Sequence, residues 1–194
     1  MQKQANKVGA AITKLNKADM QKRRENLRRI QDLRGCEGQP IAVEGDGRYN
    51  NSLFSGGNKT LYQPATQTVY TVAENVTSKK DIIGVYTGNK LCHTAHLLKS
   101  RGEDVSCPEH SGICTANLRE DDSIGDEKRA MQQILEEISG EVTVGALTTD
   151  GDSRAHSACD DVESLRDTRH YSKALKKQIE KAPFSGQVFP GKTK

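Results

Sequence analysis

The sequence predicts an α/β domain with a mixed sheet, a basic helix before the sheet and an insert within it. Three strand-like patterns precede a helix-like one, and another strand and further helices follow. Residues 1–34 carry ten basic and three acidic side chains, whereas residues 88–122 have no regular period and collect Cys, His and Gly. This order of elements is typical of helices packed on a sheet around one core.

The composition is compatible with one modest core and excludes a membrane-spanning protein. Of the 194 residues, 34% are hydrophobic and 28% are charged, and 29 Lys and Arg against 26 Asp and Glu leave a net charge of +3. No apolar run approaches the ~20 residues that cross a bilayer, and the Lys-rich N-terminus is unlike a secretory signal. We therefore expect an intracellular protein whose five Cys are free or metal-bound.

Residues 1–34 form a basic arm whose net charge of +7 leaves −4 for the rest of the chain. Apolar residues at spacings of three and four predict an amphipathic helix, either continuous or broken in its middle. Its apolar residues are Val8, Ile12, Leu15, Leu27, Ile30 and Leu33. Two interpretations stay open for the basic cluster, which is a solvated helix face or a contact to a phosphate backbone. The cluster comprises Lys22, Arg23, Arg24, Arg28 and Arg29.

The sheet is expected to begin after Pro40. Ile41 to Tyr49 suggests a strand, and residues 66–75 are rich in the β-branched and aromatic residues of strands. A polar turn at 78–81 leads into the apolar run 82–86, which predicts a hairpin.

The second half of the domain is predicted to continue with helix, strand and helices. Met131, Ile134, Leu135 and Ile138 follow the candidate caps Ser123 and Asp126 and predict a helix. A short strand at 142–149 comes next, and then a polar helix from about 153 to 165. A last amphipathic helix carries Leu175 and Ile179. We place the domain at residues 39–194, with the insert at 88–122.

Two acidic residues follow apolar strands. Asp46 lies in VEGDGRYNN and Asp150 lies in TTDGDSRAH. If the two strands are neighbours, both carboxylates emerge at one edge of the sheet, where oxygen ligands suit Mg²⁺ or Mn²⁺ and two-metal phosphodiester chemistry. The alternative is ordinary turn chemistry, because Asp followed by Gly is common in turns.

The insert contains a cluster of candidate zinc ligands. Its thiols and imidazoles are Cys92, His93, His96, Cys107, His110 and Cys114. A set such as Cys92, His96, Cys107 and Cys114 would supply four ligands for tetrahedral Zn²⁺. The spacing is irregular, so a polar insert with incidental thiols is the alternative.

Several long segments resemble the Mutator-like transposase domain found in many animal genomes. The resembling segments are DGRYNNSLFSGGNKTLYQPATQTVYTVAENVTSKKDIIGVYTGNKLC, IGDEKRAMQQILEEI, LTTDGDSRAHSAC, DTRHYSKALKKQI and FPGKTK, and the likeness runs from about Asn16 to the C-terminus. The resemblance implies a partial RNase H-like fold of the DDE type, a DNA partner, a nuclear location and metal-dependent DNA strand cleavage and transfer. Self-association is a further open expectation.

The resemblance also implies roles for individual acids. Asp46 matches the first catalytic acid, Asp150 matches the second, and Asp152 is a close alternative to Asp150. The family pattern requires a third acid, usually Glu, on a later helix, but only Glu163 and Glu180 follow Asp150 and neither matches that position. We therefore expect a truncated transposase module. The alternative is a non-catalytic remnant that binds nucleic acid or protein and keeps the zinc insert.

Overall fold

The computed structural model describes residues 2–50, 65–149 and 161–181. The described elements are α1 (Gln2–Leu33), β1 (Ile41–Tyr49), β2 (Gln67–Glu74), β3 (Ile82–Asn89), α2 (His93–Ser100), α3 (Glu127–Ile138), β4 (Val144–Thr149), β5 (Glu163–Arg166) and α4 (Thr168–Lys181). They confirm the predicted α/β class with a mixed sheet.

The five strands form one sheet in the order β3-β2-β1-β4-β5. The first three strands are a meander in which β1 pairs antiparallel with β2 and β2 pairs antiparallel with β3. β4 runs parallel to β1, with Glu44 opposite Thr148, and β5 runs parallel to β4. The carboxyl ends of β1, β3, β4 and β5 therefore lie at the same edge of the sheet.

Helix α3 supplies most of the core on one face of the sheet. Asp126 caps it by accepting a hydrogen bond from the Arg129 backbone N–H at 3.0 Å, as its position in the sequence predicts. Met131, Ile134 and Ile138 are fully buried. Contact with the sheet is so close that a Cβ on Gly84 would collide with the Ile134 side chain. Gly84 is thus the residue that lets α3 approach β3.

Helix α1 is continuous and joins the core through its C-terminal half. Met20 and Leu27 are buried, and the Arg24 side chain is as buried as they are, at 4% exposure. The Arg24 guanidinium donates to both carboxylate oxygens of Glu141, at 3.0 and 3.1 Å, and to the Ile83 carbonyl at 2.8 Å. One side chain therefore links α1 to β3 and to the segment between α3 and β4.

A buried carboxylate shapes the turn between β2 and β3. Glu74 accepts hydrogen bonds from the backbone N–H groups of Val76, Thr77 and Asp81 and from the Thr77 hydroxyl. Burial alone would raise the pKa of Glu74, but these hydrogen bonds outweigh it and hold the pKa below its ordinary value. The carboxylate thus fixes the turn that positions Asp81.

The structure departs from the sequence expectations at two elements. The insert contains a short helix, α2, that no period in the sequence indicates. The prediction of a polar helix from about 153 to 165 is wrong at the C-terminal end of that range, because Glu163–Arg166 is strand β5. All four β5 residues are exposed, so backbone pairing with β4 rather than an apolar face creates this strand. Residues 150–160 lie outside the described part. None of the described helices is long and apolar enough to cross a membrane.

We expect Arg24→Gln to lower the free energy of unfolding by about 3 kcal/mol or more, because it leaves a charged Glu141 without its partner. Denaturation in urea would measure the change. Arg28→Gln is the control, since Arg28 is exposed on the same helix and its loss should stay within about 0.5 kcal/mol. Equal effects of the two substitutions would contradict a structural role for Arg24.

Candidate functional site

The insert leaves the sheet at the carboxyl end of β3 and is closed at its base by two asparagines. The Asn117 side chain accepts from the Asn89 N–H at 2.7 Å and donates to the Thr87 carbonyl at 2.7 Å. The Asn89 side chain donates to the carbonyls of Leu91 and Thr115. These hydrogen bonds pair backbone groups of both arms of the insert at the point where the arms meet. The two ends of the insert are therefore held together.

Four potential metal ligands converge inside the insert. The ligand atoms of Cys92, Cys107, His110 and Cys114 all lie within 4.8 Å of one another. Ligand atoms of a zinc tetrahedron with Zn–S bonds of about 2.3 Å lie about 3.8 Å apart, so a small contraction would close the site around the ion. Three thiols and one imidazole occupy all four positions, which is the donor set of a structural rather than a catalytic zinc site.

Cys92 is both a ligand candidate and the N-cap of α2. Its sulfur accepts from the Ala95 N–H at 3.5 Å and lies 3.2 Å from Nε2 of His110. Burial raises the pKa of the Cys92 thiol, but the N–H groups of Ala95 and Thr115 and the side chains of His110 and Cys114 outweigh burial and lower the pKa to about 5. The cap therefore favours the thiolate, which is the form that binds metals.

His110 is oriented by its own backbone neighbour. Its Nδ1 lies 2.9 Å from the Ser111 carbonyl oxygen, which only accepts, so Nδ1 carries a proton and donates it. Nε2 is therefore the nitrogen that faces Cys92. In the protonated ring it donates to the sulfur and favours the thiolate, and in the neutral ring it offers a lone pair to a metal. A carbonyl that holds the distal nitrogen in this way is the usual second-sphere support of a zinc-binding histidine.

The pKa of Cys107 shows that negative charge is unfavourable in the metal-free cluster. Burial, together with Cys114 and Cys92, raises the pKa of Cys107 to about 12. A cluster of three sulfurs without a cation therefore disfavours more than one thiolate, because like charges at this distance repel. A divalent ion removes that repulsion, which is a chemical reason for this donor set to hold one.

The structure corrects one member of the predicted ligand set. Cys92, Cys107 and Cys114 belong to the group, but its histidine is His110 and not His96. His96 follows the buried Ala95 by one residue on α2 and is exposed. The advance of about 100° per residue around a helix turns it away from the cluster. In the sequence, the Cys-x2-His spacing between 107 and 110 favours His110, but it does not by itself exclude His96.

The predicted acidic site is described only at Asp46. Asp46 is exposed near the end of β1, opposite Thr71 of β2, and its carboxylate lies 4.0 Å from Nε of Arg48. Asp150 and Asp152 lie outside the described residues.

The basic cluster divides into buried and exposed members. Arg24 is held in the core, so we no longer expect it to contact phosphates. Arg23 is half-buried and pairs with Asp19 and Asp81 at 2.7 and 2.8 Å. The remaining members, Lys22, Arg28 and Arg29, are exposed on α1. Lys22 and Arg29 are two helical turns apart and therefore share one side of the helix.

Comparison with known proteins identifies one family. The model of the family described as Mutator-like transposase matches residues 1–194. No curated protein and no solved structure shows significant similarity to the chain.

We expect protein purified without chelator to contain about one zinc ion per chain. His110→Ala should abolish stoichiometric zinc, as measured by elemental analysis, because it removes one of four ligands. His96→Ala is the matched control and should retain the metal. Equal zinc loss in both variants, or zinc-free native protein in which all thiols react freely, would contradict the assignment.

Proposed function

Because the chain belongs to the Mutator-like transposase family, we propose that it is a transposase domain that acts on DNA in the nucleus. Its proposed chemistry is metal-dependent cleavage and transfer of DNA strands. The observation that carries this proposal most is the pairing of β1 and β4 as neighbouring parallel strands, with Asp46 in the C-terminal half of β1 and Asp150 next in the sequence after β4.

The topology supports an RNase H-like fold for this domain. Three antiparallel strands occupy one side of the sheet and two parallel strands the other, in the order β3-β2-β1-β4-β5, and α3 lies between β3 and β4 in the chain. This arrangement, a meander followed by helix and parallel strand, is the one expected for that fold. A fold alone does not define activity, so the argument for function rests on the acids and the basic helix.

The register supports a shared acidic site. Glu44 lies opposite Thr148, and Asp46 and Asp150 each follow these residues by two positions in the sequence. We propose that Asp46 and Asp150 are the metal-binding carboxylates, with Asp152 as the alternative to Asp150. Carboxylates at this edge suit Mg²⁺ or Mn²⁺, whose chemistry in phosphodiester transfer is activation of the attacking oxygen and stabilisation of the leaving one.

The zinc cluster would act beside this edge rather than in the reaction. β3 and β1 run in the same direction, so the insert leaves the sheet at the edge where Asp46 lies. The Gln67 side chain donates to the Asn89 side chain at 3.2 Å, and the Gln67 N–H donates to the Asn50 side chain. The base of the insert and the end of β1 are thus connected. We propose that the Cys92, Cys107, His110 and Cys114 site holds Zn²⁺ and keeps the insert rigid next to the DNA.

The second candidate function is a non-catalytic DNA-binding remnant. Glu163, in β5, and Glu180, in α4, are the only Glu residues after Asp150, and neither matches the family's third acid. The basic helix and the zinc cluster do not depend on that acid. In this case DNA binding would survive every substitution of the acidic residues.

We expect Asp46→Asn to weaken Mn²⁺ binding measured by isothermal titration and to abolish cleavage of duplex DNA, because the amide keeps the shape of the side chain and loses its charge. Asp32→Asn removes one exposed carboxylate on α1 and serves as the control. No Mn²⁺ binding by the parent chain, or equal effects of both substitutions, would contradict the acidic site. DNA binding without any Mn²⁺-dependent cleavage would support the remnant.

DNA binding itself should be weak, largely independent of sequence and strongly weakened by salt, because each neutralised phosphate releases counterions. Replacing Lys22, Arg28 and Arg29 by Gln should reduce the slope of log K against log salt by up to about 3. The control replaces Lys173, Lys176 and Lys177 of α4, which removes the same charge elsewhere. Fluorescence anisotropy with duplex DNA measures both. Equal slopes for the two triple variants would contradict the assignment to α1.

A further inference from the structure

Arg48 lies two residues after Asp46 on β1 and therefore on the same face of the sheet. Its side chain is 88% exposed, and its Nε lies 4.0 Å from the Asp46 carboxylate, which is too far for a hydrogen bond. Among the described residues, Asp46 is the only acid that forms an ion pair with Arg48. The guanidinium is thus next to the proposed metal ligand without being fixed to it.

The backbone of Arg48, in contrast, is held in place. The Thr68 hydroxyl donates to the Arg48 carbonyl at 3.1 Å. The next residue, Tyr49, points to the opposite face of β1, where its hydroxyl donates to the Glu127 carboxylate of α3 at 2.8 Å. These contacts hold the end of β1 between β2 and α3, so Arg48 keeps its position on the outer face.

This part of the outer face is open to a large ligand. β4 pairs with β1 only as far as Glu44, and residues 45–49 pair with β2 alone. Arg48 stands opposite Val69 of β2, which is 41% exposed. Since the Asp46 side chain is also 66% exposed, a DNA strand can approach the carboxylate and the guanidinium together.

Metal binding would change the contacts of Arg48. Without an ion, its guanidinium offsets the negative charge of Asp46. When Asp46 binds a divalent cation, the guanidinium is repelled from it and loses its anion. A DNA phosphate bound beside Asp46 then offers Arg48 a new anion, and a guanidinium can pair with phosphate through two N–H groups at once.

We propose that Arg48 binds a non-bridging oxygen of the DNA phosphate that reacts at Asp46. The inference rests on the proposed acidic site and adds to it a residue that contacts the substrate. Negative charge develops on the phosphate oxygens during cleavage, so a cation at this position also stabilises the transition state. The exposed cations of α1 act differently, because they contact DNA whether or not metal is bound.

Isothermal titration of the full chain with Mn²⁺, without DNA and at low salt, is the first test. Arg48→Gln should raise the Mn²⁺ affinity about two- to threefold, since it removes a cation from beside the ion. Lys79→Gln is the matched control, because Lys79 is exposed in the turn between β2 and β3, at the opposite edge of the sheet. It should leave the affinity unchanged. Equal affinities of all three proteins, or weaker binding by Arg48→Gln, would overturn the proposal.

Fluorescence anisotropy with duplex DNA at 4 °C, with and without Mn²⁺, is the second test. Mn²⁺ should strengthen DNA binding by the parent chain, and Arg48→Gln should reduce this gain about fivefold or more. Arg48→Lys should give an intermediate gain, because it keeps the charge and loses the planar pair of donors. Lys79→Gln should keep the full gain. Equal loss of affinity by Arg48→Gln with and without Mn²⁺ would show a general phosphate contact and overturn the proposal.

The Asp46→Asn variant separates this proposal from the proposed function. If the parent chain binds no Mn²⁺, the acidic site is wrong and the role of Arg48 is wrong with it. If Asp46→Asn abolishes Mn²⁺ binding but Arg48→Gln matches the parent in both titrations, the acidic site stands and only the role of Arg48 is overturned. Added to Asp46→Asn, Arg48→Gln should have no further effect on the Mn²⁺-dependent gain, because both act at one site.

Discussion

One buried guanidinium determines how the helix α1 is attached to the rest of the molecule. Arg24 binds Glu141 with two nitrogens and the Ile83 carbonyl with the third, so three elements that are distant in the sequence are held by one side chain. A charge at this depth is tolerated because each of the three guanidinium nitrogens donates a hydrogen bond, two of them to a carboxylate. Since the contact fixes the rotation of α1 about its axis, it also fixes which of its residues face the solvent.

The rotation has consequences at both ends of the helix. Toward the C-terminus it turns Lys22 and Arg29 outward, while the neighbouring Arg23 is drawn into ion pairs. Toward the N-terminus it leaves Val8, Ile12 and Leu15 in solvent. A basic surface and an apolar stripe on one continuous helix are therefore both consequences of a single buried contact. The apolar spacing in the sequence predicts an amphipathic helix along all of α1. It does not show which half packs on the domain and which half stays in solvent.

Much of the sheet was predictable because its core strands carry their signals locally. The strand at 41–49, the hairpin of β2 and β3 and the cap of α3 follow from β-branched residues, turn residues and an apolar period. β5 was missed because its four exposed residues have no apolar pattern, and pairing with β4 determines its conformation. Local propensity does not contain that information, since a strand of this kind exists only beside a partner.

The candidate sites show the same limit. The sequence identified three of the four residues in the cysteine and histidine cluster, because thiols close together in an insert are unusual on their own. The choice between His96 and His110 depended on which side of α2 faces the cluster. A helix of only eight residues has too few apolar residues to show this in the sequence. In the basic cluster, the sequence made all five residues equal candidates for contacts to phosphate. The structure separates Arg24 from the others because its side chain is buried. Tertiary contacts, and not residue type, made each of these distinctions.

The two asparagines at the base of the insert make the sheet insensitive to what the insert contains. Asn89 and Asn117 satisfy each other's backbone groups where the two arms meet, so the strand ends are held at a fixed separation. The entropy lost on closing a loop rises only slowly with length, by about 0.6 kcal/mol for each doubling. Insertions or deletions between these two residues should therefore cost the domain little, and this position can gain or lose whole segments during evolution while the edge of the sheet that carries Asp46 keeps its geometry.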